Sequence, residues 1–358
     1  FTDGKIQRKH RPDYWLVLCA ALLMLVGMII VYSVGPQYAN LQNSAYGSDY
    51  SSTYFFFKQL MGISLAVSGF VLLILVPFDY LKKYIFQLMM IGIGLSFLLF
   101  LIGNILHIDA IAQNTLGAYR WFHLGPVNFQ PSELLKLAMT LYMAVFLGKR
   151  YQEGKINDLK ETVYPAAALV GFLLFIVVVL QKDMGSGVAI AAAAASIFMV
   201  STIRMKTLMQ IALVGVLFLG LTAVTAPHRL ERITTFFGAS KSASQDDNDY
   251  HIKNAMIALG TGGLTGRGIG KSIQSTGYLP EAINDSIFAV IGEIFGFAGT
   301  VLVVVLFAAL LLRVLRVAEY SPDMTRRLVV AGIFGWLFAH FFMNIASMIH
   351  LAPLTGIT

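Results

Sequence analysis

The chain has 358 residues, of which 57% are hydrophobic and 13% charged, with a formal net charge of +7. A soluble domain carries about a quarter charged residues, so this composition and a mean hydropathy of +0.72 exclude a water-covered globule. The positive balance would suit nucleic acid, but the basic residues stand between apolar runs. There they read as topology signals and contacts for anionic membrane lipids, with no nucleic-acid partner implied.

Runs of about 18–25 apolar residues match the ~30 Å hydrocarbon core at 1.5 Å per residue. Nine such spans are predicted, at residues 14–35, 54–77, 82–106, 130–148, 163–181, 185–203, 207–226, 284–312 and 328–350. The expected fold is an all-α polytopic transmembrane bundle forming one domain over residues 1–358. The first run is too long for a signal-peptide core and lacks a small-residue cleavage site, so it reads as a retained span although the chain opens on Phe1. Cys19, within that run, can form no intrachain disulfide and reads as a small buried side chain. The sixth span, GVAIAAAAASIFMV, is rich in small residues that let backbones approach closely. The terminal LAPLTGIT is expected to be a re-entrant or loop segment leading into a tenth helix beyond Thr358.

Lysines and arginines orient the bundle. Lys5, Arg8, Lys9 and Arg11 precede the first span; Lys82 and Lys83 follow the second; Lys149, Arg150, Lys155 and Lys160 follow the fourth. Arg204 and Lys206 follow the sixth, and Arg313, Arg316, Arg326 and Arg327 the eighth. All five clusters fall on one side if the spans alternate, and by the positive-inside rule that side, with the N-terminus, is cytoplasmic. The opposite side receives the loop at about 104–129 and a long extracytoplasmic loop at 227–283. A loop approaching sixty residues is functional or disordered. This one opens on SKSASQDDND, read as mobile, and continues into a glycine-dense run and an acidic end. Internal repeats are not evident, which weakens a transporter built on inverted halves.

Charges within or at the mouths of spans are functional candidates because lipid burial is costly. Glu133, Lys136, Asp285 and Glu293 qualify. Glu133 and Lys136, three apart on a helix, share a face; a neutralising ion pair and a cavity-facing pair beside a polar substrate are both open. A helix starting near Pro280 would put Glu281 and Asp285 on one face, and Asp285 reads equally as a cap or as a catalytic carboxylate. The run GTGGLTGRGIGKS misses the phosphate-loop pattern, since Thr265 stands where glycine is needed. Plain turn geometry is open there beside anion contact through Arg267 or Lys271. His123, His251 and His350 are scattered and read as structural, and no zinc spacing or Ser/His/Asp order stands out.

Several ordered blocks then resemble one family. AYRWFHLGPVNFQPSELLKL, LQKDMGSG, HRLERITTFF, DYHIKNAMIALGTGGLTGRGIGKS, LPEAINDSIFAVIGEIFGFAG and NIASMIHLAPLTGIT are similar to blocks of the SEDS cell-wall polymerases typified by FtsW and RodA. The HRLERI wording leans slightly toward FtsW. Departures include Lys182 for the usual proline, Asn284 and Ser286 around Asp285 where Thr and Phe are commoner, and Ile294 for a second glutamate.

The resemblance implies a glycosyltransferase of peptidoglycan synthesis, serving cell division or cell shape, that polymerises lipid II at the outer face of the cytoplasmic membrane. An acceptor 4-hydroxyl would attack the donor's anomeric carbon with inversion, releasing undecaprenyl pyrophosphate. Asp285 matches the family's essential aspartate and is expected to be the base. Arg120, Lys136, or a divalent cation (Mg2+ or Mn2+) held partly by Glu133, would stabilise the leaving group. Trp121 would pack on a lipid or sugar face or serve as an interfacial belt residue. A class B penicillin-binding protein transpeptidase is the expected partner. The competing class is a lipid II flippase using Glu133, Lys136 and Asp285 to couple ion movement.

Overall fold

A computed structural model describes residues 13–108, 111–115, 118–125, 127–224, 243–353 and 356. The basic cluster at residues 5–11 and the HRLERITTFF block lie outside the described residues. Eleven α-helices are described. They are α1 (Tyr14–Tyr46), α2 (Tyr54–Leu75), α3 (Phe78–Lys82), α4 (Ile85–Phe100), α5 (Pro131–Gln152), α6 (Tyr164–Leu174), α7 (Met184–Val200), α8 (Met205–Val224), α9 (Ala243–Gly262), α10 (Ile287–Glu319) and α11 (Met324–Met348).

Nine of them coincide with the nine predicted spans. Among the described residues, six helical segments are long and apolar enough to cross a membrane by length and composition. α5 carries four charges, Glu133, Lys136, Lys149 and Arg150, whereas α7 and α8 are apolar but shorter over their described residues. π-helical turns extend α4 (Leu101–Ile105) and flank α6 (Leu159–Val163 and Phe175–Leu180).

Three expectations are sharpened. The all-α bundle is as expected, and the loop predicted at about 104–129 carries a small antiparallel sheet, β1 (Ala112–Thr115), β2 (Ala118–Leu124) and β3 (Val127–Phe129), in the order β1-β2-β3. Ala112, Tyr119 and Phe122 are buried with Leu99 of α4, across a register shift between β1 and β2. A side chain at Gly103 would overlap the Tyr119 ring, so only glycine admits the sheet there. Second, the supposedly mobile Ser/Asp-rich segment is helical from Ala243 onward, as the start of α9. Third, the eighth helix begins at Ile287 and is interrupted at Gly296, where φ is +67° and ψ −163°.

Two cores hold the bundle. One joins Leu135, Met139 and Met143 of α5, Leu173 near the end of α6, Ile190 and Ile197 of α7 and Leu328 of α11. The other joins Ile30 and Val34 of α1, Ala255 and Ala258 of α9, Leu279 and Ala282, Ala289 and Val290 of α10, and Met348. α2 has no fully buried residue and packs against α1, with Phe55 edge-on to Tyr38. The small residues of α7 act as expected: α11 lies so close that a Cβ on Gly335 would overlap Ser196 and the Ala192 carbonyl. Cys19 is buried, as expected.

Candidate active site

Pro131 occupies the first turn of α5, with Gln130 as N-cap, and the helix turns Glu133 and Lys136 to one face. Lys136 Nζ lies 2.8 Å from Glu133 Oε1; the lysine side chain is 0% exposed and the glutamate's 48%. The ammonium also donates to His340 Nε2 at 2.9 Å and sits 5.3 Å from the centre of the Trp336 ring. An ammonium only donates, so this bond requires the His340 tautomer protonated at Nδ1. Lys136 is thus enclosed by a carboxylate, an imidazole and an indole. Its assignment as a substrate contact is corrected: the exposed member of the pair is Glu133, and Lys136 holds it.

The same enclosure bears on a metal. Glu133 Oε1 already meets the ammonium, and among the described residues no three His, Cys, Asp or Glu side chains gather as metal ligands. The donor set does not fit a resident divalent cation at Glu133.

Arg120 on β2 reaches across to donate from Nη2 to the Lys182 carbonyl at 2.7 Å; its Nε has no partner among the described residues. Lys182 has φ of +54°, which a proline ring could not adopt. Asp183 next to it caps α7, accepting from Ser186 N at 3.0 Å and from Gln130 Nε2 at 2.7 Å. Trp121 follows Arg120 on β2 and is half-buried.

Asp285 lies in a run of turns over residues 280–286 rather than in the helix start expected near Pro280, so Glu281 and Asp285 share no helical face. The N-cap of α10 is Ser286, which settles against Asp285 as the cap. Glu281, at φ +48°, accepts on its carbonyl from Asn284 N at 3.0 Å and Ser286 N at 3.1 Å. Leu279 and Ala282, each 1% exposed, anchor the turn in the second core.

Two neighbouring helices grip it. Asn344 Nδ2 of α11 donates to the Asp285 carbonyl at 3.0 Å. From α9, His251 Nε2 lies 2.6 Å from Ser286 Oγ, which donates to the Pro280 carbonyl at 2.7 Å. Burial pushes the His251 pKa below its ordinary value, with Glu281 opposing. The C-terminal segment returns here, since a Cβ on Gly356 would lie 3.7 Å from Asp285 Oδ2.

α11 ties the two clusters together. Trp336, His340 and Asn344 recur every four residues along one face, so Lys136 and the Asp285 carbonyl are held about 6 Å apart along the axis. None of these three residues was singled out from sequence. The available signal was a histidine and an asparagine one turn apart inside an apolar span. Lys58, the one charge in α2, was missed likewise. It lines a cavity of about 310 Å³ with Tyr38, Gln42, Tyr50, Gln59 and Asn284, next to Asp285 in sequence.

The glycine run serves the break in α10. Arg267 N and Gly268 N donate to the Glu293 and Ile294 carbonyls at 2.9 and 3.0 Å, while Phe297 N and Ala298 N donate to the Gly263 and Leu264 carbonyls at 2.8 and 3.1 Å. Backbone groups freed by the interruption are thus paired by the loop. Glu293, 0% exposed, completes the clasp by accepting from Ser272 Oγ at 2.5 Å and Ile273 N at 2.8 Å. The run thus docks backbone on backbone, and the Arg267 and Lys271 side chains are exposed beside it.

Comparison with known proteins agrees with this architecture. Residues 13–358 match the FtsW/RodA/SpoVE family model, described as a cell cycle protein. Stage V sporulation protein E of Bacillus subtilis is 31% identical, over 98% of this chain and 91% of that protein. The probable peptidoglycan glycosyltransferase FtsW of Saccharophagus degradans is also 31% identical, over 99% and 88%. Among solved structures, a chain from a peptidoglycan synthase complex, in work on structural coordination of polymerization and crosslinking, aligns with a TM-score of 0.69 at 23% identity, covering 97% of this chain and 90% of that one. Rod shape determining protein RodA of Thermus thermophilus aligns at 0.63 and 20%, covering 97% and 88%; these two likenesses bear on fold.

Proposed function

The chain belongs to the FtsW/RodA/SpoVE family of multi-pass peptidoglycan glycosyltransferases, and we propose that it polymerises lipid II into glycan strands outside the cytoplasm. The observation that carries this reading is the Asp285 turn, held by α9 and α11 through Ser286 and the Asp285 carbonyl at the start of α10, beside a polar cavity lined by Lys58 and Asn284. The inner ends of the helices are those with Lys149, Arg150, Arg204 and Arg313, which puts Asp285 at the outer end.

Asp285 accepts the proton of the acceptor sugar's 4-hydroxyl as that oxygen attacks the donor's anomeric carbon. The bond from that carbon to the pyrophosphate oxygen breaks with inversion, and undecaprenyl pyrophosphate departs. A diphosphate leaves as a stabilised anion, so no general acid is needed, and one carboxylate suffices where a hydrolase needs two. Lys58 and Arg120 are the cations suited to the diphosphate. Glu133, oriented by Lys136 and His340, orders the sugar-proximal side, and Trp121 offers a flat face at the membrane surface. Apolar grooves hold the prenyl tails and keep the reacting sugars at the interface. A class B penicillin-binding protein, a transpeptidase, docks on the outer ends of α10 and α11.

The test is purified full chain with its transpeptidase partner and lipid II, scored for glycan strands. Asp285→Asn should reduce polymer by at least about 100-fold. Polymer made equally well by that variant would sink the assignment. Lipid II crossing vesicles without polymerisation, in a Glu133-dependent way, would favour transport instead.

A further inference from the structure

His251 on α9 is partly buried, and its ring meets a polar group, the Ser286 hydroxyl. Its Nε2 stands 2.6 Å from Ser286 Oγ. The hydroxyl has one proton, and that proton goes to the Pro280 carbonyl, which can only accept. His251 must therefore donate, and Nε2 carries hydrogen. The chain His251 Nε2–H, Ser286 Oγ–H, Pro280 carbonyl closes both ends of the 280–286 turn on one rigid ring. Ser286 is 0% exposed and follows Asp285 directly. From the other side Asn344 holds the Asp285 carbonyl. The turn contains Glu281 at φ +48°, a conformation that persists only where its surroundings hold it.

We propose that His251 is a positioning residue for Asp285, acting through Ser286 to fix the direction of the carboxylate. The inference rests on the reading of Asp285 as the base. A carboxylate displaced by a fraction of an ångström still admits substrate but loses alignment with the attacking hydroxyl. His251 thus serves turnover rather than binding.

The experiment measures polymerisation against lipid II concentration for the full chain with its transpeptidase partner, alongside thermal unfolding in detergent. His251→Phe keeps an aromatic ring but cannot donate; kcat should fall about tenfold with KM within about twofold and the unfolding temperature nearly unchanged. His251→Gln, which restores a donating amide, should recover most of that loss. Ser286→Ala should match His251→Phe, and combining the two should cost little more than either alone. Wild-type kcat in His251→Phe, or a Gln variant as impaired as the Phe variant, overturns the inference. If His251→Phe does not fold, Ser286→Ala decides, and wild-type kcat there overturns it too. An inactive Asp285→Asn beside a fully active His251→Phe removes only this inference, whereas an active Asp285→Asn removes the reading beneath it.

Discussion

Lys136 shows how burial decides a residue's work. Its ammonium is wholly enclosed and Glu133 is half exposed, so the two partners should respond unequally to removal. Glu133→Gln strands a buried cation and should destabilise by about 3 kcal/mol. Lys136→Met fills the same space with an apolar chain and leaves the carboxylate its access to water, for a cost of about 1 kcal/mol or less. Activity should fall in both variants, because an unheld Glu133 is misplaced. Unfolding in detergent and polymer yield, measured together, check this. Equal destabilisation, or a fully active Lys136→Met, would contradict it. The sequence placed this pair on one face correctly from its spacing. It left open which partner is exposed, because the enclosing His340 and Trp336 come from a helix some two hundred residues away.

At the level of elements, the glycine run and the interruption in α10 are one device. An interrupted helix leaves carbonyls and amides that must find partners, and the loop supplies both kinds. Contact this close needs glycine at three places: a Cβ on Gly262 would overlap the Gly292 carbonyl, one on Gly266 the Ile294 carbonyl, and one on Gly296 the Gly266 amide. Gly266→Ala should therefore destabilise by more than about 2 kcal/mol. Gly263→Ala, at φ +57° with open space around the missing side chain, should cost only about 1 kcal/mol. Thermal unfolding of the two variants provides the comparison, and equal losses would mean that conformation rather than backbone proximity makes the demand. From sequence the same run invited comparison with a phosphate loop. Glycines that admit an anion and glycines that admit another backbone have the same spacing, and only the partner tells them apart.

For the whole molecule, the informative feature is polarity from one end to the other. Arg313 meets Asp13 at one end of α10 and α1, while Gln37 meets Ser275 toward the other. α10 runs from Ile287, beside the Asp285 turn, through its interruption at Gly296 to Glu319, with Arg313 and Arg316 toward the far end. The Asp285 turn thus lies at the end of α10 away from Arg313, which the positive-inside rule predicts to be the outer end. In a Cys19→Ser background, Tyr278→Cys should react with a membrane-impermeant thiol reagent added outside intact cells, and Lys149→Cys only after permeabilisation. Both positions are exposed in the fold. The reverse pattern would invert the orientation and with it the proposed site of polymerisation.

Hydropathy by itself determined that this chain is a helical membrane protein and where nearly every span lies, because an apolar run of membrane length has few other stable fates. It also marked Glu133, Lys136 and Asp285, since charges at such depth are expensive enough to stand out. Tertiary structure alone decided that Asp285 sits in a turn rather than a helix, since Glu281 adopts its left-handed conformation within a turn anchored by Leu279, Ala282 and Ser286. It alone brought His251, Lys58, His340 and Asn344 around the two marked clusters. They come from three separate elements, α2, α9 and α11, and the significance of such scattered polar residues lies in what packing sets opposite them.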